Sequence, residues 1–171
     1  CHFCSVSTFN GHRYRHRALD AVVREMALIR ERLVLIVDDN LIGTRHEHVA
    51  RAKELLRALI AAHLKKRGIC QATINCADDE ELLDLARRAG CFGVFMGFES
   101  PSNEGLAEIG KRYNIVKGVD LRGSVARIHR HRIGVVGSYI IGLDCDLPGV
   151  GRRIADAAAE CGVDLLNALF L

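Results

Sequence analysis

Residues 33–40 read Leu-Val-Leu-Ile-Val-Asp-Asp-Asn, and this stretch decides how the rest of the chain is interpreted. Five consecutive apolar residues are typical of a strand that is buried on both faces, as the strands of parallel sheets are. Two carboxylates and an amide follow directly, at the point where the strand ends. A parallel sheet with polar groups at the carboxyl ends of its strands is therefore the first expectation.

Strands and helices alternate along the whole chain. Apolar residues recur at helical spacing in long segments, and short apolar runs that suit buried strands lie between them. The connections are short, and no linker is visible. The predicted helices cover 18–32, 47–67, 79–89, 103–110, 120–132 and 151–161, and the predicted strands cover 33–37, 69–75, 93–98, 135–141 and 163–171.

Several of these boundaries carry a capping signal. Gly68, Gly90 and Gly162 each stand just past a predicted helix, where a residue in the left-handed conformation is favoured. Asp78 with Glu81 three residues later resembles a capping box, which predicts that the third helix begins there. These signals fix the order of elements as βαβαβαβαβ.

Alternation of this kind implies a parallel sheet with right-handed crossovers, either an open doubly wound sheet or a barrel. No G-x-G-x-x-G follows a strand, so the dinucleotide-binding interpretation lacks its main support. In parallel barrels the carboxyl ends of the strands carry the chemistry, and a full barrel needs about 250 residues. Five strands in 171 residues fit a partial barrel. Polar residues recur at the predicted strand ends: 38–40, Asn75, Glu99-Ser100, Asp144 and Asn167.

Composition sets further bounds. The length of 171 residues suits one domain, and the net charge of +3 is too small to indicate a nucleic-acid partner. No apolar run approaches the roughly 20 residues that a transmembrane helix needs. Seven cysteines at irregular spacing indicate reduced thiols. We therefore expect a cytoplasmic protein.

The chain opens on Cys1-His2-Phe3-Cys4. A C-x-x-C pair alone also occurs in zinc ribbons, in thioredoxin-like redox pairs and by chance. A zinc ribbon needs a second such pair, which the sequence lacks, and a thioredoxin-like pair belongs to a small βαβ domain. Thiolates are soft ligands that suit iron–sulfur clusters.

Taken with the strand ends, this pair resembles the radical S-adenosylmethionine (radical SAM) superfamily, whose cluster motif is C-x-x-x-C-x-aromatic-C. Cys1, Phe3 and Cys4 match the last two cysteines and the aromatic residue. The first cysteine is expected four positions before Cys1. Further segments match the family's second-strand, fourth-strand and fifth-strand elements in the right order: 37–40, 97–100 and 137–144.

The resemblance covers nearly the whole chain. It implies that residues 1–171 are a radical SAM core domain, truncated at both ends, with the α/β fold of a partial TIM-type (β/α)6 barrel whose strands two to six are present. It also implies a [4Fe-4S] cluster and S-adenosylmethionine as cofactors, and reductive cleavage to a 5′-deoxyadenosyl radical. The implied roles are cluster ligation for Cys1 and Cys4, the methionine amine for Asp38, Asp39 and Asn40, the ribose and carboxylate region for Glu99 and Ser100, and the adenine for Ile141, Gly142 and the Phe3 backbone.

Residues 38–43 and 77–83 are most similar to the cobalamin-type radical SAM enzymes, among them hopanoid methylases. This similarity implies methyl transfer to an unreactive carbon, with cobalamin held by a domain outside this chain. It also implies a small-molecule or lipid-like substrate and an electron donor such as flavodoxin or ferredoxin. The alternative is a truncated or degenerate, non-catalytic barrel fragment with no complete cluster.

Several of the site residues also have a structural interpretation. Residues 38–40 suit a polar turn that caps the next helix, Ser100 before Pro101 suits a helix N-cap, and Gly142 suits a plain turn. The basic run at 11–17 is interpreted as a solvated loop.

The other cysteines also need an interpretation. Cys70, Cys91 and Cys161 are expected to be buried thiols away from the site. Cys76 and Cys145 map to the mouth of the barrel, where packing is favoured over a role as substitute ligands.

Overall fold

The structure, a computed structural model, describes residues 5–11, 14–111 and 120–171. Five strands form one sheet in the order β1-β2-β3-β4-β5, and every neighbouring pair is parallel. Each crossover therefore advances by one strand in the same direction, whereas a doubly wound sheet reverses direction. The sheet is a half-barrel, which confirms the predicted partial TIM-type architecture. The strands are β1 Leu33–Ile36, β2 Arg67–Gln71, β3 Cys91–Glu99, β4 Gly134–Ile141 and β5 Leu165–Phe170.

Helices connect the strands and cover one face of the sheet. Each helix predicted from apolar periodicity is present, although several are shorter than expected. A short 3₁₀ turn, Ile74–Asp78, follows β2 where the sequence predicted more strand. The helices are α1 Val6–Asn10, α2 Leu19–Leu28, α3 His46–Ala61, α4 Glu80–Arg88, α5 Asn103–Glu108, α6 Leu121–Arg130 and α7 Val150–Cys161. None of the helices in the described ranges is long and apolar enough to span a membrane.

The core lies between the helices and the convex face of the sheet. Val94 and Met96 of β3 are buried there against Leu82 of α4 and Ile128 of α6. Each large aliphatic side chain contributes about 1.5–3 kcal/mol when it is buried in this way. The helix-covered face thus holds the fold together, and the opposite face of the strands is left to line the interior of the half-barrel.

The first strand is not buried on both faces, so that prediction is wrong. Leu35 is 66% exposed and Val37, just after the strand, is 71% exposed, while Val34 and Ile36 are half-buried. Exposed and half-buried residues alternate along the strand, and Ile36 packs against the core, so Leu35 and Val37 lie on the face away from the core. Within the described residues β1 also pairs with β2 alone and lies at a sheet edge. At the other edge, β5 exposes Leu169 and Phe170.

Two of the predicted helix boundaries are also wrong. Helix α3 ends at Ala61, and Gly68 lies inside β2, where an added Cβ would approach the carbonyl oxygen of Val34 to 2.9 Å. The residue that caps α4 is Asp79, whose carboxylate accepts the N–H of Leu82 at 3.0 Å, and not Asp78.

Two other boundaries are confirmed. Gly90 and Gly162 follow their helices with φ of 100° and 81°, in the left-handed region that the sequence predicted.

Candidate functional site

The carboxyl ends of the five parallel strands form one rim, and the predicted site residues within the described ranges lie along it. Asp38, Asp39 and Asn40 follow β1, Glu99 ends β3 and is followed by Ser100, and Ile141 ends β4 before Gly142. Cys1, Phe3 and Cys4 lie outside the described residues. The structure therefore brings together the three segments that match radical SAM motifs on separate strands.

Asn40 ties the first strand to the second. Its Oδ1 accepts the backbone N–H of Gly43 at 3.0 Å, and its Nδ2 donates to the Thr73 hydroxyl at 3.1 Å. The polar-turn interpretation is thus correct for Asn40, but the turn does not cap α3, since the residue at that position, Arg45, makes no side-chain capping bond. Asn75 supports the same turn by donating to the Gly43 carbonyl at 3.1 Å.

Asp38 and Asp39 differ from Asn40 because both carboxylates are exposed. The side-chain amide of Asn40 is hydrogen-bonded to Gly43 and Thr73, so Asn40 contributes to the rim by holding the turn in place. The two aspartates are the carboxylates that this segment presents to solvent at the mouth.

Tyr14 anchors the segment that follows the cysteine pair. Its hydroxyl donates to the backbone carbonyls of Asn40 and Leu41, the latter at 3.2 Å. Its ring stacks on His48 with centroids 4.2 Å apart. Partial burial, with a smaller contribution from Asp38, raises the pKa of Tyr14. The interpretation of this basic run as a solvated loop missed the anchoring role of Tyr14. A single tyrosine among arginines and histidines was the signal for that role.

Glu99 is the most buried carboxylate at the rim, with 8% of the residue exposed. It has a φ of 71°, and the β3–β4 register shifts between Gly97 and Glu99. Its Oε1 accepts a hydrogen bond from the Lys111 ammonium at 2.6 Å. A buried carboxylate is costly unless it is paired, and the Lys111 ammonium supplies that partner. No local sequence pattern singled out Lys111.

Ser100 lies in the connection after β3, and its side chain is hydrogen-bonded within that connection. Its hydroxyl accepts the backbone N–H of Ser102 at 3.2 Å, and a Cβ at Gly105 would overlap it. The N-cap of α5 is Ser102, whose hydroxyl accepts the Gly105 N–H at 3.0 Å, so the prediction of Ser100 as the cap is wrong by two residues.

Ile141 and Gly142 form the rim at β4. Ile141 is half-buried, and its carbonyl accepts the N–H of Leu171 at 3.0 Å. Gly142 is exposed with a φ of 109°, a conformation that requires glycine. The Asp146 carboxylate accepts the N–H groups of Gly142 and Leu143 at 2.8 and 3.0 Å.

A second carboxylate shapes the same turn. Glu108 accepts the N–H groups of Asp144 and Cys145 at 2.9 and 3.2 Å. The backbone hydrogen bond from Asp144 is the main reason that the pKa of Glu108 is lowered. Neither Glu108 nor Asp146 was predicted from the sequence. Glu108 binds the backbone of a segment that is distant in sequence, and Asp146 binds the backbone of its own tight turn.

Below the rim, the interior face carries a polar pair. Ser138 on β4 is 3% exposed and lies in register with Asn167 on β5, whose Nδ2 donates to the Ser138 hydroxyl at 3.3 Å. Gly97 on β3 is the register partner of Ser138 on the other side. The Glu99–Lys111 pair and the Ser138–Asn167 pair are therefore neighbours on the inner surface.

The described cysteines do not form a cluster site. Cys76 is 1% exposed within the core, and burial raises its pKa to about 12, so it is a packed thiol as favoured from the sequence. Cys145 is exposed in the loop after β4. Cys70 is buried, whereas Cys91 and Cys161 are only partly buried. Throughout the described residues no group of three or more His, Cys, Asp or Glu side chains could hold a metal ion.

Comparison with known proteins identifies the family. The family described as "Radical SAM superfamily" matches residues 1–144. An uncharacterized methyltransferase of Synechocystis sp. is 30% identical over 95% of this chain and 31% of its own length. The hopanoid C-2 methylase of Rhodopseudomonas palustris is 28% identical over 98% of this chain and 32% of its own length. The bacteriochlorophyllide d C-12(1)-methyltransferase of Chlorobaculum tepidum is 32% identical over 85% of this chain and 32% of its own length.

A solved structure has the same fold. The radical S-adenosylmethionine methyltransferase TsrM of Kitasatospora setae, with cobalamin and a [4Fe-4S] cluster bound, superposes with a TM-score of 0.73 at 22% identity over 90% of this chain and 31% of that chain. The present chain thus spans about a third of the length of the proteins that it matches.

Proposed function

Because the chain belongs to the radical SAM superfamily, we propose that its half-barrel holds S-adenosylmethionine at the rim as the core of a larger radical SAM enzyme. One observation carries this proposal. Three segments that match the family's motifs, 38–40, 97–100 and 141–142, are far apart in sequence and lie at the same edge of one parallel sheet. A rim of this kind can contact several parts of one ligand at once.

The chemistry of the rim suits the separate parts of that ligand. The exposed carboxylates of Asp38 and Asp39 are acceptors for the methionine amine, and Asn40 fixes the turn that presents them. Glu99 accepts hydrogen bonds from the ribose hydroxyls, and the backbone of Ser100 borders the same region. Ile141 and Gly142 give a flat surface against the adenine, since Gly142 has no side chain.

Cys1 and Cys4, with the backbone of Phe3 beside the adenine, are the residues that would hold a [4Fe-4S] cluster. When bound, the cluster supplies the electron for reductive cleavage of the carbon–sulfur bond of S-adenosylmethionine. The protein holds S-adenosylmethionine in position and excludes water from the site. Tyr14 contributes to the positioning, because it fastens the segment after Cys4 to the carbonyls of Asn40 and Leu41.

For the whole enzyme we infer methyl transfer to an unreactive carbon of a small or lipid-like molecule. The names of the relatives support this inference, since all three are methyltransferases or methylases. Cobalamin would be bound by a domain outside this chain, and an electron donor such as flavodoxin or ferredoxin would reduce the cluster in the cytoplasm. The family match and the methyltransferase relatives favour an enzyme over the alternative of a degenerate fragment.

Glu99→Ala tests the ribose assignment in the full-length protein after anaerobic reconstitution with iron and sulfide. Equilibrium dialysis with S-adenosylmethionine should show weaker binding, while the iron and sulfide content stays at the wild-type level. Unchanged affinity would remove Glu99 from the site. Glu104→Ala, an exposed carboxylate on α5, is the matched control.

A further inference from the structure

We propose that the amino-terminal end of the half-barrel is a docking surface for a membrane that contains anionic lipid. The connections that run from a helix into the next strand all lie at this end, because the five strands are parallel. The rim with the candidate site lies at the opposite, carboxyl-terminal end. The inference does not depend on the proposed function, and it leaves the rim facing away from the lipid.

Basic residues are concentrated at the amino-terminal end. The basic end comprises the segments that run from the last two residues of the helix before each strand to the first residue of that strand: 27–33, 60–67, 87–91, 129–134 and 160–165. These segments carry nine of the 24 Lys and Arg residues but three of the 21 Asp and Glu residues. The rest of the chain therefore holds more acidic than basic residues. The net charge of +3 is small, but it is unevenly distributed.

Most of the cations at the basic end have no carboxylate partner. Arg88 forms an ion pair with Asp84 at 3.2 Å. Arg130 forms one with Glu80 at 3.0 Å. Five exposed members form no salt bridge with any other described side chain: Arg30, Arg32, Lys65, Arg67 and Arg132. Since no nearby carboxylate cancels their charge, they give this end of the molecule a positive potential.

Helix dipoles do not account for the cations of the first two connections. A cation in the last turn of a helix is stabilised by the partial negative charge there, and the effect fades beyond that turn. Helix α2 ends at Leu28 and α3 ends at Ala61, and neither has a basic residue in its last turn. Arg30, Arg32 and Lys65 lie beyond these ends, so they do not serve as helix caps.

The first two connections lie side by side. The Lys66 ammonium donates to the backbone carbonyls of Ile29 and Glu31. The Arg67 N–H donates to the Arg32 carbonyl at 2.7 Å. These bonds bring the basic residues of two segments that are far apart in sequence into one patch.

Exposed leucines flank this patch. Leu28 is 82% exposed and Leu33 is 64% exposed, on either side of the exposed residues 30–32. Cations beside apolar side chains suit a membrane, where the cations meet anionic headgroups and the leucines enter the boundary of the acyl chains. Single-stranded nucleic acids stack their bases on aromatic rings. Phe92, next to the third segment, does not offer such a ring, because the Arg67 guanidinium lies over it at 4.8 Å from the centroid.

Flotation of the full-length protein with lipid vesicles tests the proposal. Wild-type protein should bind vesicles of equal parts phosphatidylglycerol and phosphatidylcholine more tightly than vesicles of phosphatidylcholine alone. High salt should release it, because salt screens the attraction. Each Lys or Arg near such a surface contributes about fivefold to the affinity. The triple variant Arg30→Gln/Arg32→Gln/Lys65→Gln should therefore bind the anionic vesicles about a hundredfold more weakly.

Matched variants at the other end of the molecule are the controls. Arg45, Arg122 and Arg152 are exposed at the amino ends of α3, α6 and α7. The variant Arg45→Gln/Arg122→Gln/Arg152→Gln removes the same net charge and should bind like the wild type. Leu28→Ser should weaken binding by up to about tenfold, because it removes an apolar side chain that enters the lipid. Leu147→Ser, in an exposed loop after β4, should have no effect.

The outcomes decide the proposal. Weaker binding in the triple variant of the basic end, with wild-type binding in the matched triple variant, supports the membrane surface. Wild-type protein that does not bind anionic vesicles overturns it, and so does an equal effect in the two triple variants. If the wild type binds a DNA duplex instead, and the triple variant of the basic end loses that binding, the surface is one for nucleic acid and the proposal is wrong. Binding of S-adenosylmethionine, which tests the proposed function, should be the same in all these variants.

Discussion

The side-chain amide of Asn40 donates to the hydroxyl of Thr73 at 3.1 Å and so joins the end of β1 to the end of β2. The same side chain accepts the N–H of Gly43, which is buried. The rim segment at 38–40 is therefore held by bonds that do not involve any ligand, and its two exposed aspartates are presented on a fixed turn.

Asn40→Ala should lower the free energy of unfolding by about 1–3 kcal/mol, because it leaves the Gly43 N–H without its acceptor. Thermal unfolding followed by circular dichroism measures the effect, and we expect Tm to fall by several degrees. Asp39→Ala is the control on the same turn: an exposed side chain should change stability by less than about 0.5 kcal/mol. Equal losses in the two variants would contradict the role of Asn40.

Substitution of the two adjacent aspartates before α4 should have clearly different effects on the free energy of unfolding. Asp79→Ala removes the N-cap and should cost about 0.5–2 kcal/mol, whereas Asp78→Ala should cost less, since Asp78 does not cap the helix and its ion pair with Arg127 is long, at 3.4 Å. Urea unfolding of both variants at neutral pH measures the difference. A larger loss for Asp78→Ala would mean that the capping residue has been misplaced.

Asp79 also predicts a pH dependence. Burial raises its pKa, but hydrogen bonds from Lys53 and the Leu82 N–H outweigh burial, so the pKa lies below 3.8. A lowered pKa in the folded state adds stability above pH 3.8 that is lost as the pH falls through the folded value. Wild-type protein should therefore lose more stability than Asp79→Ala on acidification. If wild-type protein and Asp79→Ala lose the same stability as the pH falls, the Asp79 carboxylate contributes nothing to the pH dependence of stability.

Gly97→Ala should destabilise the protein by about 1–3 kcal/mol, because the new methyl group would displace the Glu99–Lys111 pair. Gly151→Ala is the control, since that position in α7 has open space around it and alanine is the better helix former. Urea unfolding should show a loss for the first variant and a small gain or no change for the second. A neutral Gly97→Ala would show that the interior pair does not fill this space.

The two sheet edges should make the isolated chain associate. Both β1 and β5 expose apolar side chains beside backbone groups that can pair with another strand, among them Leu35 and Phe170. We expect poor solubility and early elution in gel filtration, improved by Leu35→Lys with Phe170→Lys. Leu147→Lys, in a loop with 68% exposure, should not help. A monodisperse wild-type monomer with a cooperative melt would contradict this prediction.

Local patterns were enough to predict the architecture. Short apolar runs alternating with amphipathic segments gave the order of strands and helices, and the polar residues after those runs gave the rim. Exposure of Leu35 was not predictable in this way, because an apolar run does not reveal whether both faces of its strand are covered.

The partners of the rim residues were also beyond local patterns. Lys111 reaches Glu99 only because Glu99 adopts a left-handed backbone and because Gly110 ends α5 at the right point. Cys76 follows β2 as expected, but a 3₁₀ turn carries it into the core and away from the mouth. Such placements depend on backbone geometry that residue types alone do not specify.

The most direct test of the account is formation of 5′-deoxyadenosine by the full-length protein after anaerobic reconstitution with iron and sulfide. With a chemical reductant and S-adenosylmethionine, wild-type protein should release 5′-deoxyadenosine, and Cys4→Ala should abolish it. Cys76→Ala should retain it, since that thiol is packed in the core. Undiminished 5′-deoxyadenosine from Cys4→Ala would contradict the cluster assignment, and with it the central claim that this half-barrel is a radical SAM core.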